Sequence, residues 1–317
     1  MVKRKTQRKK KVKRTPRKEY NLKKNLIRAV AGLGVLMLLV VIAGVVAHYS
    51  ILRKYPIEPV VKSKIIKIPK FEIYPKKEII PRKPIAKPIP DLPKKRPKIA
   101  IIIDDVGYDK FIVEKFLGLD AVFTLSVLPH IPYQKSISRA AFAKGFEIML
   151  HLPMEPNEYP KVNPGPGALL TSMSPDALIS QLNKNLDAVP SIKGVNNHMG
   201  SKMTAVSTQM YQVFSVLKKR GLFFIDSLTT TDSLCKPSAR LLKIPFAQRD
   251  VFLDHIQEDD FIRKQIDRLL QIAYSHGEAV GIAHPYSVTF EVFREVLPEL
   301  KKKAVLVPAS ELVHIIG

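Results

Sequence analysis

Three stretches with different patterns of apolar and polar residues follow one another along the chain. The first, residues 29–52, contains no Lys, Arg, Asp or Glu, and its part from 29 to 47 is wholly apolar. A helix needs about 20 apolar residues to cross the hydrocarbon core of a bilayer, so this length predicts one transmembrane helix over 29–52. A cleaved signal peptide is the alternative, but its apolar region is normally about 7–15 residues long, and His48-Tyr49-Ser50 makes a poor cleavage site.

The second stretch, residues 53–97, is rich in proline. It holds 10 of the 25 prolines of the chain, scattered among Lys and Ile. Proline fixes φ and removes a backbone donor, so the stretch is predicted to be an extended linker with no packed core of its own.

In the third stretch, residues 98–317, short apolar runs alternate with amphipathic segments. The strand candidates are 99–103, 122–128, 146–150, 193–196, 222–225, 251–253, 279–283 and 304–307. The clearest helical patterns cover 174–189, 208–220 (ended by Gly221) and 259–276 (ended by Gly277). This alternation predicts an α/β fold with a parallel sheet, best fitted by a deformed (β/α) barrel of about seven strands. An open doubly wound sheet is the alternative; its nucleotide-binding form is disfavoured because no glycine-rich phosphate loop follows the first strand.

Charge is distributed unevenly among these stretches. The net charge of the chain is +24, but residues 1–28 carry 14 Lys/Arg against the single acid Glu19, and the linker carries 14 against four acids. The domain over 98–317 has 24 basic and 23 acidic residues, so it is not expected to bind nucleic acid. A nucleic-acid role for the tail is the remaining alternative. Positive flanks tend to stay in the cytoplasm, which predicts a cytoplasmic tail over 1–28, a single span in the cell (inner) membrane, and a periplasmic or extracellular domain. Cys235 is the single cysteine, which excludes an intramolecular disulfide.

Polar residues follow several of the predicted strands. They are Asp104-Asp105, His151 with Glu155, Asn196-Asn197-His198, Asp226, Asp254-His255 and His284. Each alone is most simply a helix cap or a structural histidine. Chemistry on parallel sheets lies at the carboxyl ends of strands, so these residues are expected to converge. Asp, Glu and His without thiolates suit Zn²⁺ in an open catalytic site, or Fe, Co or Mn.

These motifs together resemble a known family. The order Ile-Ile-Ile-Asp104-Asp105, His151-Leu-Pro-Met-Glu155-Pro, Asn-Asn-His198-Met-Gly-Ser201 and Ile-Ala-His284-Pro is similar to the divergent polysaccharide deacetylases, relatives of the chitin and peptidoglycan deacetylases. The resemblance covers essentially all of 98–317, and the Asn-Asn-His-Met-Gly-Ser string is its most specific element. It implies a deformed (β/α) barrel and carbohydrate esterase activity.

The resemblance also implies roles for single residues. Asp104 would be the catalytic base and Asp105 a metal ligand. His151 matches the first histidine of the relatives' His-x-x-x-His metal pair, whereas the second position here is Glu155, an additional ligand or a neighbour of the ligands. His198 stands where the relatives carry an Arg-x-Pro segment, and it is predicted to be a replacement ligand.

Other residues receive supporting roles. His284 matches the histidine that acts as general acid, and Asp226 is expected to orient a histidine. Asn196, Asn197 and Ser201 are predicted to contact substrate.

The function implied is a metal-dependent hydrolase, with zinc as the expected metal, that removes acetyl groups from an amino-sugar polysaccharide or peptidoglycan in the cell envelope. Two alternatives stay open. A degenerate member of the family would only bind envelope glycan or a protein partner, and a serine hydrolase would use Ser126, Ser201 or Ser227, although no Gly-x-Ser-x-Gly motif is present.

Overall fold

A single sheet of ten strands organises the part of the chain that the computed structural model describes, namely residues 96–317 together with Gly34 and Met37. The predicted basic tail, transmembrane helix and almost all of the linker lie outside the described residues. Among the residues that are described, no helix has both the length and the apolar character needed to span a bilayer.

The strands run nearly all in parallel. They are β1 (Lys98–Val106), β2 (Thr124–Val127), β3 (Glu147–Met154), β4 (Ile192–Met199), β5 (Phe223–Asp226), β6 (Pro245–Gln248), β7 (Val251–Phe252), β8 (Glu278–Ala283), β9 (Val305–Leu306) and β10 (His314–Ile315). Their order in the sheet is β10-β6-β5-β4-β3-β2-β1-β8-β7, with β9 beside β1. The β10–β6 pair alone is antiparallel among the described pairs.

Helices connect most of the strands. They are α1 (Lys110–Phe116), α2 (Gln134–Ala143), α3 (Pro175–Ala188), α4 (Ser207–Arg220), α5 (Cys235–Leu242), α6 (Asp259–His276) and α7 (Ser287–Lys303). The three helices predicted from sequence are confirmed as α3, α4 and α6. The Ser174 hydroxyl caps α3 by accepting from the Ala177 N–H, and α4 and α6 end at Gly221 and Gly277, both with the positive φ that glycine adopts without strain.

The predicted α/β class and parallel sheet are confirmed, and the predicted deformed barrel takes an open form. The sheet is a curled half-barrel in which, among the described strands, β10 and β7 are the two ends and do not pair with each other. The strand count was too low. The strands β6 and β10 are absent from the predicted set because they are short and lack a continuous apolar run.

The two faces of the sheet have different surroundings. The outer face packs against the helices through residues such as Ile101, Leu150 and Phe224. The inner face of the curl carries a second apolar cluster that includes Ile102, Met149, Ile225 and Ile282. Side chains alternate between the two faces along a strand, so a residue two positions after one of these four also lies on the inner face. Asp104, His151 and His284 stand at such positions, at the carboxyl end of the half-barrel.

Candidate metal centre

An irregularity in β1 allows two adjacent carboxylates to serve one site. Successive strand residues normally point to opposite faces, yet Asp104 and Asp105 both reach the same cluster of histidines. Asp105 has a φ of 54°, in the left-handed region, and the pairing of β1 with β2 shifts register between Ile103 and Val106. This bulge turns Asp105 toward the inner face, beside Asp104.

Three side chains converge at the centre of the site. Asp105 Oδ1 lies 3.1 Å from His151 Nε2 and 3.0 Å from His198 Nδ1, and the two ring nitrogens are 3.1 Å apart. All three residues are buried. They come from β1, β3 and β4. His151 and His198 lie within β3 and β4 and not after them as predicted, because these strands stay paired as far as Met154 and Met199. The structure therefore brings together the three residues predicted to hold a metal.

The chemistry of this triad fits a divalent cation. Asp105 Oδ1 is buried and accepts no hydrogen bond from the described residues, although two imidazole nitrogens face it. Ligand atoms around a tetrahedral zinc lie about 3.3–3.5 Å from one another, within a few tenths of an ångström of the three distances here. Three electron-rich atoms held this closely repel each other unless a cation, either a metal ion or a proton on an imidazole, lies among them. Asp105, His151 and His198 are accordingly the residues that could hold a metal.

Asp104 lies beside the triad. Its Oδ2 is 3.7 Å from His151 Nε2, and the Asn196 Nδ2 group donates to both of its oxygens at 2.9 and 3.0 Å. Burial raises the pKa of Asp104, and the nearby histidines offset this only in part. At Asp105 burial acts in the same direction, but His198 and His151 outweigh it and hold the pKa well below its usual range. The two neighbouring carboxyls thus have opposite shifts, which is typical of carboxyls with different roles.

His284 flanks the triad on another side, with its Nε2 3.8 Å from Asp105 Oδ2. Its Nδ1 donates to Asp254 Oδ1 at 2.9 Å, and the ring stacks between Phe252 and Tyr286 at centroid distances of 5.3 Å each. Burial would lower the pKa of His284, but the Asp254 carboxylate, followed by Asp105 and Asp104, raises it to about 10. These carboxylates favour the protonated ring, and its Nε2 faces the site.

Glu155 is not part of the triad. Its Oε2 accepts from the backbone N–H and the hydroxyl of Thr171, and its Oε1 accepts from Lys202 Nζ at 2.6 Å. Burial raises the pKa of Glu155, but these partners outweigh it and lower the pKa below its usual value. The Glu155 backbone also bonds to Leu169 and to Met203. Glu155 therefore connects the loops that follow β3 and β4 through hydrogen bonds. The third candidate ligand is His198.

The residues predicted to contact substrate are placed differently from one another. Asn196 and Asn197 are fully buried, and their side-chain amides form hydrogen bonds within the protein. The Asn197 amide donates to the Met199 carbonyl and accepts from the Ser227 N–H. In this arrangement neither amide is available to a substrate. Ser201 is half-buried in the loop after β4, and its hydroxyl accepts from the Asn157 N–H.

Asp226, expected to orient a histidine, continues the outer face of β5. Its carboxylate accepts from the Leu228 N–H and the Ser233 hydroxyl. Burial raises its pKa, which these donors offset only in part. The residue that does hold a histidine is Asp254, which the sequence showed at the end of a predicted strand. Sequence alone does not distinguish Asp254 from Asp226 in this role, because it cannot tell which strand lies next to the strand of His284.

None of the three candidate serines of the serine-hydrolase alternative has its hydroxyl placed as a nucleophile beside a histidine base. The hydroxyls of Ser126 and Ser227 both bond to the side chain of Asn196, and that of Ser201 is engaged in its loop. Ser126 and Ser227 are also buried.

Comparison with known proteins now fixes the family. A sequence model of the divergent polysaccharide deacetylases matches residues 101–313, which span every residue of the site described above. The chain belongs to this family. The resemblance seen in the motifs is therefore confirmed.

Relatives of this divergent polysaccharide deacetylase family member occur in several bacteria. YibQ of Escherichia coli K12, an uncharacterized protein, is 32% identical over 68% of this chain and 67% of its own length. An uncharacterized protein of Haemophilus influenzae Rd is 30% identical over 68% of this chain and 76% of its own. The crystal structure of an uncharacterized Agrobacterium tumefaciens C58 protein is 25% identical, with a TM-score of 0.67 over 78% of this chain and all of that chain. The fold of the described domain is thus shared with an experimental structure.

Proposed function

We propose that this protein is a metal-dependent deacetylase that hydrolyses the acetamido groups of an amino-sugar polymer in the cell envelope. The observation that carries the proposal is the buried Asp105–His151–His198 triad with Asp104 and His284 on either side of it. Membership of the polysaccharide deacetylase family supports the choice of reaction.

The triad would hold the metal, for which we propose zinc because the donor set is one carboxylate and two imidazoles. When bound, such an ion supplies Lewis-acid polarisation of an acyl carbonyl and makes water more acidic. The protein supplies the remaining chemistry through the two flanking residues.

Asp104 acts as the general base. Its carboxylate is held by the Asn196 amide and lies 3.7 Å from His151, next to the triad but outside it. As the water oxygen forms a bond to the acetyl carbon, Asp104 takes the water proton. Burial raises the pKa of Asp104, which makes its carboxylate a stronger base than an exposed aspartate.

His284 acts as the general acid. Cleavage of the C–N bond leaves an amine nitrogen that needs a proton, and the Nε2–H of His284 provides it. Asp254 holds the opposite ring nitrogen at 2.9 Å, so the proton to be donated lies on the atom that faces the site. The products are acetate and the free amino sugar.

The location follows from the predicted organisation of the chain. A cytoplasmic tail over 1–28 and an inner-membrane span over 29–52 would place the domain on the periplasmic or extracellular side. The linker over 53–97 would extend for an order of 100 Å if fully stretched, which suits a polymer substrate that lies away from the bilayer.

The glycan-binding alternative rested on the loss of the second histidine at position 155. His198 weakens that argument, since its Nδ1 lies 3.0 Å from Asp105 and completes a three-residue donor set. A protein that only binds glycan has no need for Asp104 or for a protonated His284, so the two functions differ in their dependence on these residues.

The test is acetate release by the full-length protein in detergent, loaded with zinc and given acetylated chitin oligomers or peptidoglycan. We expect release by the wild type and a loss of at least about 100-fold in Asp104→Asn and in His284→Gln, the range typical of general acid–base groups. Lys202→Met, which removes an exposed partner of Glu155 outside the site, is the matched control and should keep activity. Glycan binding without acetate release, unchanged in Asp104→Asn, would establish the binding-only function.

A further inference from the structure

The side-chain amide of Asn196 is bonded on both sides within the site. Its Nδ2 donates to Asp104 Oδ1 at 2.9 Å, to Asp104 Oδ2 at 3.0 Å and to Ser227 Oγ at 3.2 Å. Its Oδ1 lies 2.5 Å from Ser126 Oγ and 2.9 Å from His151 Nδ1. The side chain is fully buried.

These partners leave only one orientation for the amide. The Asp104 carboxylate can only accept, so Nδ2 must be the atom that faces it. The carbonyl Oδ1 then faces His151, and an oxygen acceptor requires that His151 Nδ1 carries a proton. When the ring is neutral, it therefore presents the lone pair of its Nε2 to Asp105 and His198.

Asn196 reaches Asp104 only because the sheet curls. Asp104 is on β1 and Asn196 on β4, three strands away in the sheet order. Neighbouring strands are about 4.8 Å apart, so in a flat sheet these residues would be separated by about 14 Å. The curl of the sheet thus brings β1 within reach of the Asn196 side chain on β4. The same amide contacts the proposed base, Asp104, and a proposed metal ligand, His151.

We infer that Asn196 is a positioning residue that sets the tautomer of His151 for metal binding and orients the carboxylate of Asp104 with the same amide group. The part that concerns Asp104 as a base rests on the proposed function. The part that concerns His151 and the metal does not, since it depends on binding alone.

Two substitutions separate the two halves of this role. Asn196→Ala removes both the donor to Asp104 and the acceptor for His151. Asn196→Asp keeps an oxygen acceptor for His151 but loses the amide donor to Asp104. Asn185→Ala is the matched control: Asn185 is equally buried, and its amide bonds to His130, Gln181 and the Gly167 carbonyl, outside the site.

The experiment uses the full-length protein in detergent and three measurements: Co²⁺ and Zn²⁺ affinity by chelator competition, the His151 tautomer by ¹⁵N NMR of the metal-free protein, and acetate release. The His151 signal is identified by its loss in His151→Gln. In the wild type we expect the Nδ1–H tautomer. Asn196→Ala should weaken metal binding about 10- to 100-fold, as is typical for the loss of a hydrogen-bond partner of a ligand. Asn196→Asp should bind metal at least as tightly as the wild type yet lose acetate release, and Asn185→Ala should bind metal normally.

The inference is overturned if metal-free wild-type protein, at a pH at which the His151 ring is neutral, holds the proton of that ring on Nε2, a result that needs no variant. It is equally overturned if folded Asn196→Ala binds metal as the wild type does, or if Asn185→Ala weakens binding to the same extent. Absence of acetate release from the wild type would reject the proposed function, whereas the affinities and the tautomer would still decide the role of Asn196 toward His151.

Discussion

Asp254 accepts two hydrogen bonds from His284, one from its backbone N–H at 2.6 Å and one from ring Nδ1 at 2.9 Å. Thr289 donates a third hydrogen bond to the same carboxylate at 2.8 Å. The carboxylate belongs to the segment that follows β7, and His284 directly follows β8, the strand paired with β7. The ring orientation of His284 is therefore set by a carboxylate in the segment that follows the neighbouring strand.

Replacement of Asp254 should disable the general acid without removing the metal. In Asp254→Asn the charge that raises the pKa of His284 is lost, so the ring is no longer held in its protonated form. We expect kcat to fall by at least about 100-fold, the lower end of the range for general acid–base catalysis, with zinc content unchanged. Asp226→Asn, a change at a buried carboxylate on the outer face, is the control and should leave kcat within a few-fold. An equal loss in both variants would argue for a general structural defect.

His198 and Glu155 should differ in their effect on metal binding. His198→Gln removes a donor atom of the triad, so we expect zinc affinity to fall by more than about 100-fold, beyond the loss typical for a partner of a ligand. Glu155→Gln should retain zinc, because the Glu155 oxygens bond to Thr171 and Lys202. Metal content after dialysis and chelator competition measure both. If Glu155→Gln loses zinc and His198→Gln keeps it, the ligand set proposed here is wrong.

Glu155 should instead contribute stability that depends on pH. Its pKa in the folded protein is lower than the ordinary 4.5, so its contribution is complete above that value and is lost as the pH falls through the folded pKa. At pH 7 we expect Glu155→Gln to lower the free energy of unfolding by about 1–3 kcal/mol, since its partners bond to a charged group. The difference between wild type and variant should shrink below pH 4.5.

Denaturant unfolding at several pH values measures this effect. Glu114→Gln is the control, because Glu114 is exposed and forms an ion pair with the equally exposed Lys110 on the same helix. Exposed pairs contribute about 0–1 kcal/mol, so its effect should be small at every pH. A Glu155→Gln difference that stays constant with pH would contradict the assignment.

The backbone at Asp105 should tolerate asparagine better than a branched residue. Its φ of 54° is a conformation that Asn and Asp adopt more readily than β-branched side chains. Both Asp105→Asn and Asp105→Val should lose zinc, but Asp105→Val should be less stable by a further 1–2 kcal/mol or so, the cost of the left-handed conformation. Thermal or denaturant unfolding in the metal-free state compares the two. Equal stability would mean that β1 has no strained bulge at this position.

The predicted membrane anchor can be tested by truncation. Removal of residues 1–52 should move the protein from the membrane fraction to the soluble fraction, because the apolar run over 29–47 is removed. In the full-length protein, protease added to the outer side of the membrane should digest the domain and spare the tail over 1–28. Protection of the domain in spheroplasts would reverse the proposed orientation.

Sequence alone determined the α/β class, three of the helices and most of the residues that meet at the site. These are local properties: Ser174 caps a helix wherever that helix packs, and an Asp or His after an apolar run lies at the carboxyl end of a strand. The family followed from the same motifs, because their order along the chain needs no three-dimensional information.

Only the tertiary structure decided which of these residues act together. His198 rather than Glu155 completes the triad, and Asp254 rather than Asp226 holds His284, because strand order and register place them there. The open half-barrel, the bulge that turns Asp105 inward and the reach of Asn196 across the curl likewise depend on contacts between residues far apart in the chain. Asp104 and Asn196 are separated by 92 positions, and only the curvature of the sheet brings them within hydrogen-bonding distance.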